Sequence, residues 1–324
     1  MLIALLIEQL RPLPQDNAAH SVLGGWVAWV GRNFDAGDAV HARVVWAVSV
    51  VLPALLCVAA YRVLLHYSVL AGMAWDVVVL YITLGFRQFS HHYTKIRIAL
   101  EHGDELEART LLAQWRHLDT SELPRTELLR HVIEHSILAA HRYVFGAFFW
   151  FVVGGALGLG PLGALVYRLA EFSSRYWAYK SRITGEPTNQ TLMQWSQLAF
   201  DTIDFLPARL TAVGFAAVGD FEGAVDSWRR WATLWARPNE GVILAAAAGA
   251  LGLSLGGFAA PALTLDRSKT LTEGDQAEIN SATGSTPGAE PLLKHLQNVV
   301  GLIWRSMVLW MLLLALLSLA NLAG

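Results

Sequence analysis

Long apolar runs alternate with polar, charge-mixed stretches along the chain, and the runs have the lengths of membrane helices. The clearest, Met307 to Ala320 with flanks from Leu302 to Leu322, approaches the roughly 20 residues that cross a hydrocarbon core. Trp304 and Arg305 stand at its entrance, where an indole prefers the interface and a guanidinium snorkels to water, so they read as anchors. A second run extends from Val44 to about Ala60 and a third from Val69 to Phe86, with Asp76 inside it. A carboxylate at that depth is costly unless paired or facing a cavity, which makes Asp76 a functional candidate unless the span starts later. The block from Tyr143 to Ala170 is too long for one span and is interrupted by Gly154, Gly155, Gly158, Gly160, Pro161 and Gly163. It predicts two short, broken helices, and the Arg168, Arg175, Lys180 and Arg182 that follow favour a return to the cytoplasmic side. Phe205 to Val218 is short for a span, and Val242 to Leu263 is equally ambiguous, so the span count stays open.

The polar stretches divide the chain into five segments: 1–86 with the first membrane helices, 87–142 as a cytoplasmic helical segment, 143–264 as a membrane-embedded core, 265–295 as a linker, and 296–324 as a C-terminal span. Lys95, Arg97, Arg109, Arg116, Arg125 and Arg130 place the second segment on the cytoplasmic side by the positive-inside rule. Asp266 to Pro291 is rich in Ser, Thr, Gly and Pro and lacks hydrophobic periodicity, as a loop does. Composition agrees, with 54% hydrophobic and 15% charged residues and 13 Trp. The expected fold class is all-α: a polytopic integral membrane bundle with broken or re-entrant helices. Met1 to Leu10 is apolar but carries Glu8 and lacks a basic n-region and a cleavage site, so a cleaved signal peptide is not expected. The single cysteine, Cys57, excludes a disulfide framework and a Cys-based metal site. A net charge of −2 gives no electrostatic case for nucleic acid.

One stretch stands apart. In Arg237 to Gly257 a polar Pro-Asn-Glu-Gly turn runs into a helix of Ala, Gly and Leu, and Gly252 and Gly256 form a G-x-x-x-G pair of the kind that lets membrane helices approach closely. Other patterns carry less. Gly158-Leu-Gly160-Pro-Leu-Gly163 fits G-x-G-x-x-G but lacks the strand and helix of a dinucleotide turn, and no G-x-x-x-x-G-K-[ST] is present. His131-Val-Ile-Glu134-His135 has the H-x-x-E-H order of an inverted zinc-peptidase motif, yet no third ligand can be assigned, and two interfacial histidines on an amphipathic helix explain it more simply. No metal ligand is assigned on this basis. Polar residues at the borders of apolar segments remain: Asp119-Thr120-Ser121, Glu134, Glu171, Tyr179-Lys180, Asp201, Asp204, Arg209 and Pro238-Asn239-Glu240. Gathered at one membrane face they would suit an anionic substrate with a hard cation, while ordinary interfacial solvation is the plainer account.

The order of motifs from His117 to Gly257 resembles the CobD/CbiB family of cobalamin biosynthesis, the adenosylcobinamide-phosphate synthases, together with the related AmpE branch. The family's Arg-Asp-Thr-Ser stretch is similar to Leu118-Asp119-Thr120-Ser121, and the glutamate opening its next helix to Glu134. Its tyrosine-rich connector resembles Tyr167 to Tyr179. Its Asp before a Pro-Ala-Arg-Leu helix start corresponds to Asp201 ahead of Leu206-Pro207-Ala208-Arg209-Leu210, and its Pro-Asn-x-Gly with a glycine helix to Pro238 through Gly257. The chain departs from the family where Leu138-Ala139-Ala140, Arg142, Ser174 and Phe200 replace polar or acidic residues.

The resemblance implies an ATP-dependent amide ligase that joins an amino-alcohol phosphate to a carboxylate of a corrinoid, with Mg²⁺ and ATP as cofactors. It implies catalytic carboxylates at Asp119, Glu134 and Asp201, phosphate neutralisation by Arg209 and Lys180, and substrate contacts from Thr120, Asn239 and Glu240. Membrane lipid and a possible homo-oligomeric partner, in a bacterial inner membrane crossed several times, complete the expectation. The alternative is a non-catalytic membrane signalling or accessory protein of the AmpE kind, which the missing acidic positions favour.

Overall fold

The computed structural model describes residues 18–84, 86–116, 119–183, 189–257 and 285–323, with the isolated positions Ala4 and Ile7. The described residues are all-helical, without a β-strand. The helices are α1 (Ala18–Phe34), α2 (Ala39–Tyr67), α3 (Val69–Thr83), α4 (Phe86–Glu101), α5 (Glu105–Arg116), α6 (Arg125–Ala140), α7 (Gly146–Ala156), α8 (Leu162–Ile183), α9 (Gln190–Val218), α10 (Phe221–Trp231), α11 (Pro238–Leu251) and α12 (Leu293–Ala323). A π-helical segment, His141–Phe145, joins α6 to α7.

Among the described residues three helical runs are long and apolar enough to cross a membrane: Ala39–Tyr67, Arg125–Ala156 and Leu293–Leu316. The first and last contain the expected second and C-terminal spans. The expected third span is shortened, because α3 stops at Thr83 and is a 15-residue apolar helix. Asp76 lies within it, half-buried, with one carboxylate oxygen buried and without a hydrogen-bond partner. Cys57 is buried in α2.

The chain folds into two compact units, each discontinuous in sequence. One comprises Met1–Phe89 and Arg142–Pro207, the other Ser90–His141 and Ala208–Gly324. In the first, the glycine-broken apolar block forms two helices, but the earlier one is not short as expected, because α7 continues the run Arg125–Ala156, which is long enough to cross a membrane. α7 and α8 pack together, and a Cβ at Gly163 would fall 1.9 Å from the Trp150 carbonyl oxygen, so no larger residue fits that contact. A cluster of Val27, Val30, Ala42, Val45, Trp177 and Leu192 holds α1, α2, α8 and α9 together.

In the second unit α10 lies against α11. A Cβ at Gly249 would stand 2.0 Å from the Gly223 carbonyl oxygen, and one at Gly241 the same distance from that of Ala232. The close helix contact expected of this stretch therefore exists, but through Gly241 and Gly249. The G-x-x-x-G pair is not on one helix: Gly252, at φ 64°, ends α11 in a left-handed cap, and Gly256 lies beyond it. The Pro-Asn-Glu-Gly lead-in is itself the first turn of α11, with Pro238 at the position that tolerates a missing N–H. The apolar stretch to Leu263 is not one helix either, since α11 stops at Leu251. Leu253 and Gly256 instead bridge to Ala289 and Ser285, and residues 266–284 of the polar linker lie outside the described residues.

Candidate functional site

In the second unit, four of the expected residues are tied into two networks around α11. Asn239 is buried in the first turn, and its side-chain oxygen accepts a hydrogen bond from Arg209 at 3.0 Å. Next to it, Arg237 pairs with Glu240 at 3.1 Å. The guanidinium fixes the orientation of the buried Asn239 amide.

The far end of α11 leads into the second network. Glu134 of α6 accepts the Gly256 N–H at 2.7 Å, while Arg130 donates to the Ser254 carbonyl at 3.3 Å and is paired with Glu127. These contacts hold the segment after the glycine cap against α6. Glu134 is thus committed to a backbone donor, and the remaining residues of the H-x-x-E-H pattern also turn to separate partners. His131 Nδ1 accepts from Arg116 at 3.0 Å, which leaves the ring proton of the neutral imidazole on Nε2, and His135 meets the Trp115 ring edge-on at 4.4 Å. Among the described residues no three His, Cys, Asp or Glu side chains are grouped to hold a metal ion.

The Asp-Thr-Ser stretch is a tight turn bound to α5. Arg109 donates to the Thr120 carbonyl at 2.9 Å and to that of Leu123, and the buried Thr120 hydroxyl donates back to the Arg109 carbonyl at 2.9 Å. Asp119 is exposed and accepts from the Ser121 N–H and hydroxyl at 3.1 and 2.7 Å. The Thr120 hydroxyl therefore serves the turn, whereas Asp119 faces solvent.

Asp201 and Lys180 belong to the first unit, on α9 and α8. The Pro-Ala-Arg-Leu sequence after Asp201 is not a helix start as expected, because Pro207 lies inside α9. A proline in a helix strips the carbonyl four residues back of its N–H partner. That carbonyl belongs to Ile203, and Trp150 Nε1 of α7 donates to it at 3.1 Å. The tyrosine-bearing stretch taken as a connector is likewise one continuous helix, α8.

Two residues that the sequence offered only as polar groups at the borders of apolar segments, Asp204 and Glu171, are centres of buried networks in this unit. Asp204, one turn beyond Asp201, is buried and accepts from the fully buried Tyr167 hydroxyl at 2.9 Å. Burial first, and then the Asp204 carboxylate, push the Tyr167 phenol well above its ordinary range, so it stays a donor. Gly146 makes room for that ring, since a Cβ there would fall 2.2 Å from the Tyr167 hydroxyl. The second feature is Glu171, 1% exposed, which pairs with Arg168 at 2.9 Å and with Arg175 at 2.5 Å. Burial alone would raise its carboxyl, but Arg175, Arg168 and Arg142 together outweigh that and hold it below the ordinary value. Both were legible as spacing: D-x-x-D puts Asp201 and Asp204 one turn apart, and Arg168, Glu171 and Arg175 fall at i, i+3 and i+7 of one face.

Comparison with known proteins settles the lineage. The family model described as CobD/Cbib protein matches residues 1–285. The chain belongs to this family of cobalamin biosynthesis proteins. It is 31% identical to the cobalamin biosynthesis protein CobD of Stutzerimonas stutzeri over 76% of this chain and 74% of that one. It is 37% identical to the protein of the same name from Chromobacterium violaceum over 56% of this chain and 55% of that one, and 29% identical to that of Geobacter metallireducens over 58% of each. No solved structure matches. The resemblance to the CobD/CbiB family is thus borne out, and the chain is a membrane protein of cobalamin biosynthesis. The signalling reading of the AmpE kind is not favoured by these relatives.

Proposed function

We propose that this CobD/CbiB family member binds a corrinoid and joins one of its carboxylates to an amino alcohol, or to its phosphate, through an amide bond. The observation that carries this reading is the Arg209–Asn239 pair. A buried amide, fixed by a guanidinium in the first turn of the alanine-glycine helix, has no packing role that an apolar residue would not fill better. The pair would orient substrate at the start of α11, and the half-buried Arg209 would bring positive charge to a carboxylate or phosphate. On the first unit, taken by itself, Asp201 would serve as a proton acceptor and Lys180 as a positive charge for an anion. Asp119, exposed at its turn, would meet substrate only from solvent. Glu134 would act through the segment it holds, by fixing Gly256.

Bound ATP would supply the driving force, a phosphoryl group passing to the carboxylate oxygen with release of ADP, so that the amine would displace phosphate in place of hydroxide. The donor set fits Mg²⁺ only as a companion of the nucleotide, held by one or two carboxylates such as Asp201 together with phosphate oxygens, because no larger cluster of acids is present among the described residues. The protein would act in the bacterial inner membrane, crossed several times.

The test is direct binding of adenosylcobyric acid to the full chain in detergent, followed by rescue of corrinoid amidation in a strain lacking that step. The wild type is expected to bind and rescue, and Asn239→Ala and Asp201→Ala to lower rescue by at least tenfold. Absence of corrinoid binding by the wild type would overturn the reading, and full rescue by both variants would overturn the site.

A further inference from the structure

α2 and α3 are joined through Ser68 and run back on each other. Gly72 lets them meet closely beside that turn, since a Cβ there would stand 3.0 Å from the Leu65 side chain. Farther from the turn, a groove of about 320 Å³ lies between the two helices and α8. Ala60 and Trp75 line the end nearer Ser68, and Pro53 and Thr83 the far end, so the groove follows α2 for two turns, about 10 Å. Cys57 and Val79 are buried in its floor, while Leu56 and Ile82 are exposed at its rim. Among the described residues no charged side chain lines it, and the Thr83 hydroxyl donates to the Leu80 carbonyl of its own helix at 2.9 Å. The walls keep one open polar group: Trp75 Nε1 is buried without an oxygen or nitrogen acceptor, with only the Cys57 sulfur beside it.

We propose that this groove seats one acyl chain of a membrane phospholipid, with the ester carbonyl at the head of the chain accepting from Trp75 Nε1. α2 is a candidate span, so a groove parallel to it points along the acyl chains of the bilayer. Its volume, about twice that of an apolar cavity that admits benzene, suits a length of hydrocarbon, whereas a buried water needs several polar partners that these walls lack. Direction follows from the turn. The exposed Arg62, His66 and Tyr67 near Ser68 belong at headgroup level, which sets the ester, the first acceptor below the headgroup, toward Trp75 and the chain end toward Pro53. None of the residues lining the groove is among those assigned to the amide-forming reaction above, and the site stands without that reading.

The test uses the full chain in detergent, with bound lipid read by native mass spectrometry. Two phosphatidylcholines of equal chain length serve as probes, one with ester-linked and one with ether-linked chains. The wild type is expected to retain one ester lipid per chain in a saturable way. Ala60→Phe and the smaller Ala60→Leu fill the groove and should lower retention at least tenfold, while Leu55→Phe, at an exposed position outside it, should not. Trp75→Phe keeps a ring but removes the N–H, so it should weaken the ester lipid severalfold and leave the ether lipid unchanged. If neither Ala60 variant folds, the ester and ether comparison in Trp75→Phe decides. No retained lipid in the wild type, or undiminished retention in a folded Ala60 variant, overturns the proposal. So does equal retention of the two lipids by the wild type, which removes the carbonyl contact. A dimer that dissociates in Ala60→Phe gives the groove to a second copy of this chain and overturns it too. Corrinoid binding measured on the same samples separates this result from the fate of the synthase reading.

Discussion

At the scale of single residues, the interactions with the largest expected effects are those that satisfy a buried group nothing else can reach. Trp150 donates to the Ile203 carbonyl, whose helical partner Pro207 removes. Trp150→Phe keeps the ring but leaves that carbonyl unpaired, and should cost about 1–3 kcal/mol in detergent unfolding. Pro207→Ala returns an N–H to α9, so the Trp150→Phe change made in that background should cost clearly less. Equal costs in the two backgrounds would show that the contact does not serve the carbonyl. Glu171 gives a pH signature. Its folded carboxyl is held below the ordinary range, so its contribution is fully present above the unfolded value of about 4.3 and is lost as pH falls through the lower folded value. Melting temperature should accordingly drop on acidification below about pH 4, and Glu171→Gln should flatten that drop while lowering the melting temperature at pH 7, where Arg168 and Arg175 lose their partner.

Single elements show where hydrophobic pattern was a sufficient guide and where it failed. The runs at α2 and α12 and the glycine break between α7 and α8 follow from run length and from Gly and Pro placement, and all are present. Pattern misjudged ends that depend on backbone conformation. α11 terminates at Gly252 because its φ of 64° suits a left-handed cap, whereas apolar residues continue to Leu263 and give no sign of a stop. Pro207 was expected to open a helix, but a donor from α7, remote in sequence, lets α9 run through it. The same holds for the candidate site. Arg209 and Asn239 were both expected, but their pairing joins residues 30 apart, and a single chain carries no local mark of it. Asp204 and the Arg168–Glu171–Arg175 group had local spacing and were legible. Two glycine substitutions separate the roles in α11. Gly252→Ala adds only the strain of a left-handed residue, about 1–2 kcal/mol, whereas Gly249→Ala drives a methyl into the Gly223 backbone and should destabilise the protein more. Thermal melts of the two variants check this, and the reverse order would contradict the close approach of α10 and α11.

For the whole molecule, the family match over residues 1–285 and the three candidate spans among the described residues agree on a membrane protein of cobalamin biosynthesis. The expressed chain should stay with the membrane fraction after alkaline carbonate washing, since runs of this length and apolarity are not held by surface electrostatics. Release into the supernatant would remove the spanning assignment. Cys57, buried in α2 and the sole thiol of the chain, has a practical consequence. A water-soluble maleimide should react slowly with the native protein, so a second cysteine introduced at a solvent-facing position becomes the dominant labelled atom. Spin or fluorescent reporters can then be installed one at a time without first rebuilding a cysteine-free background, which opens distance measurements in native lipid.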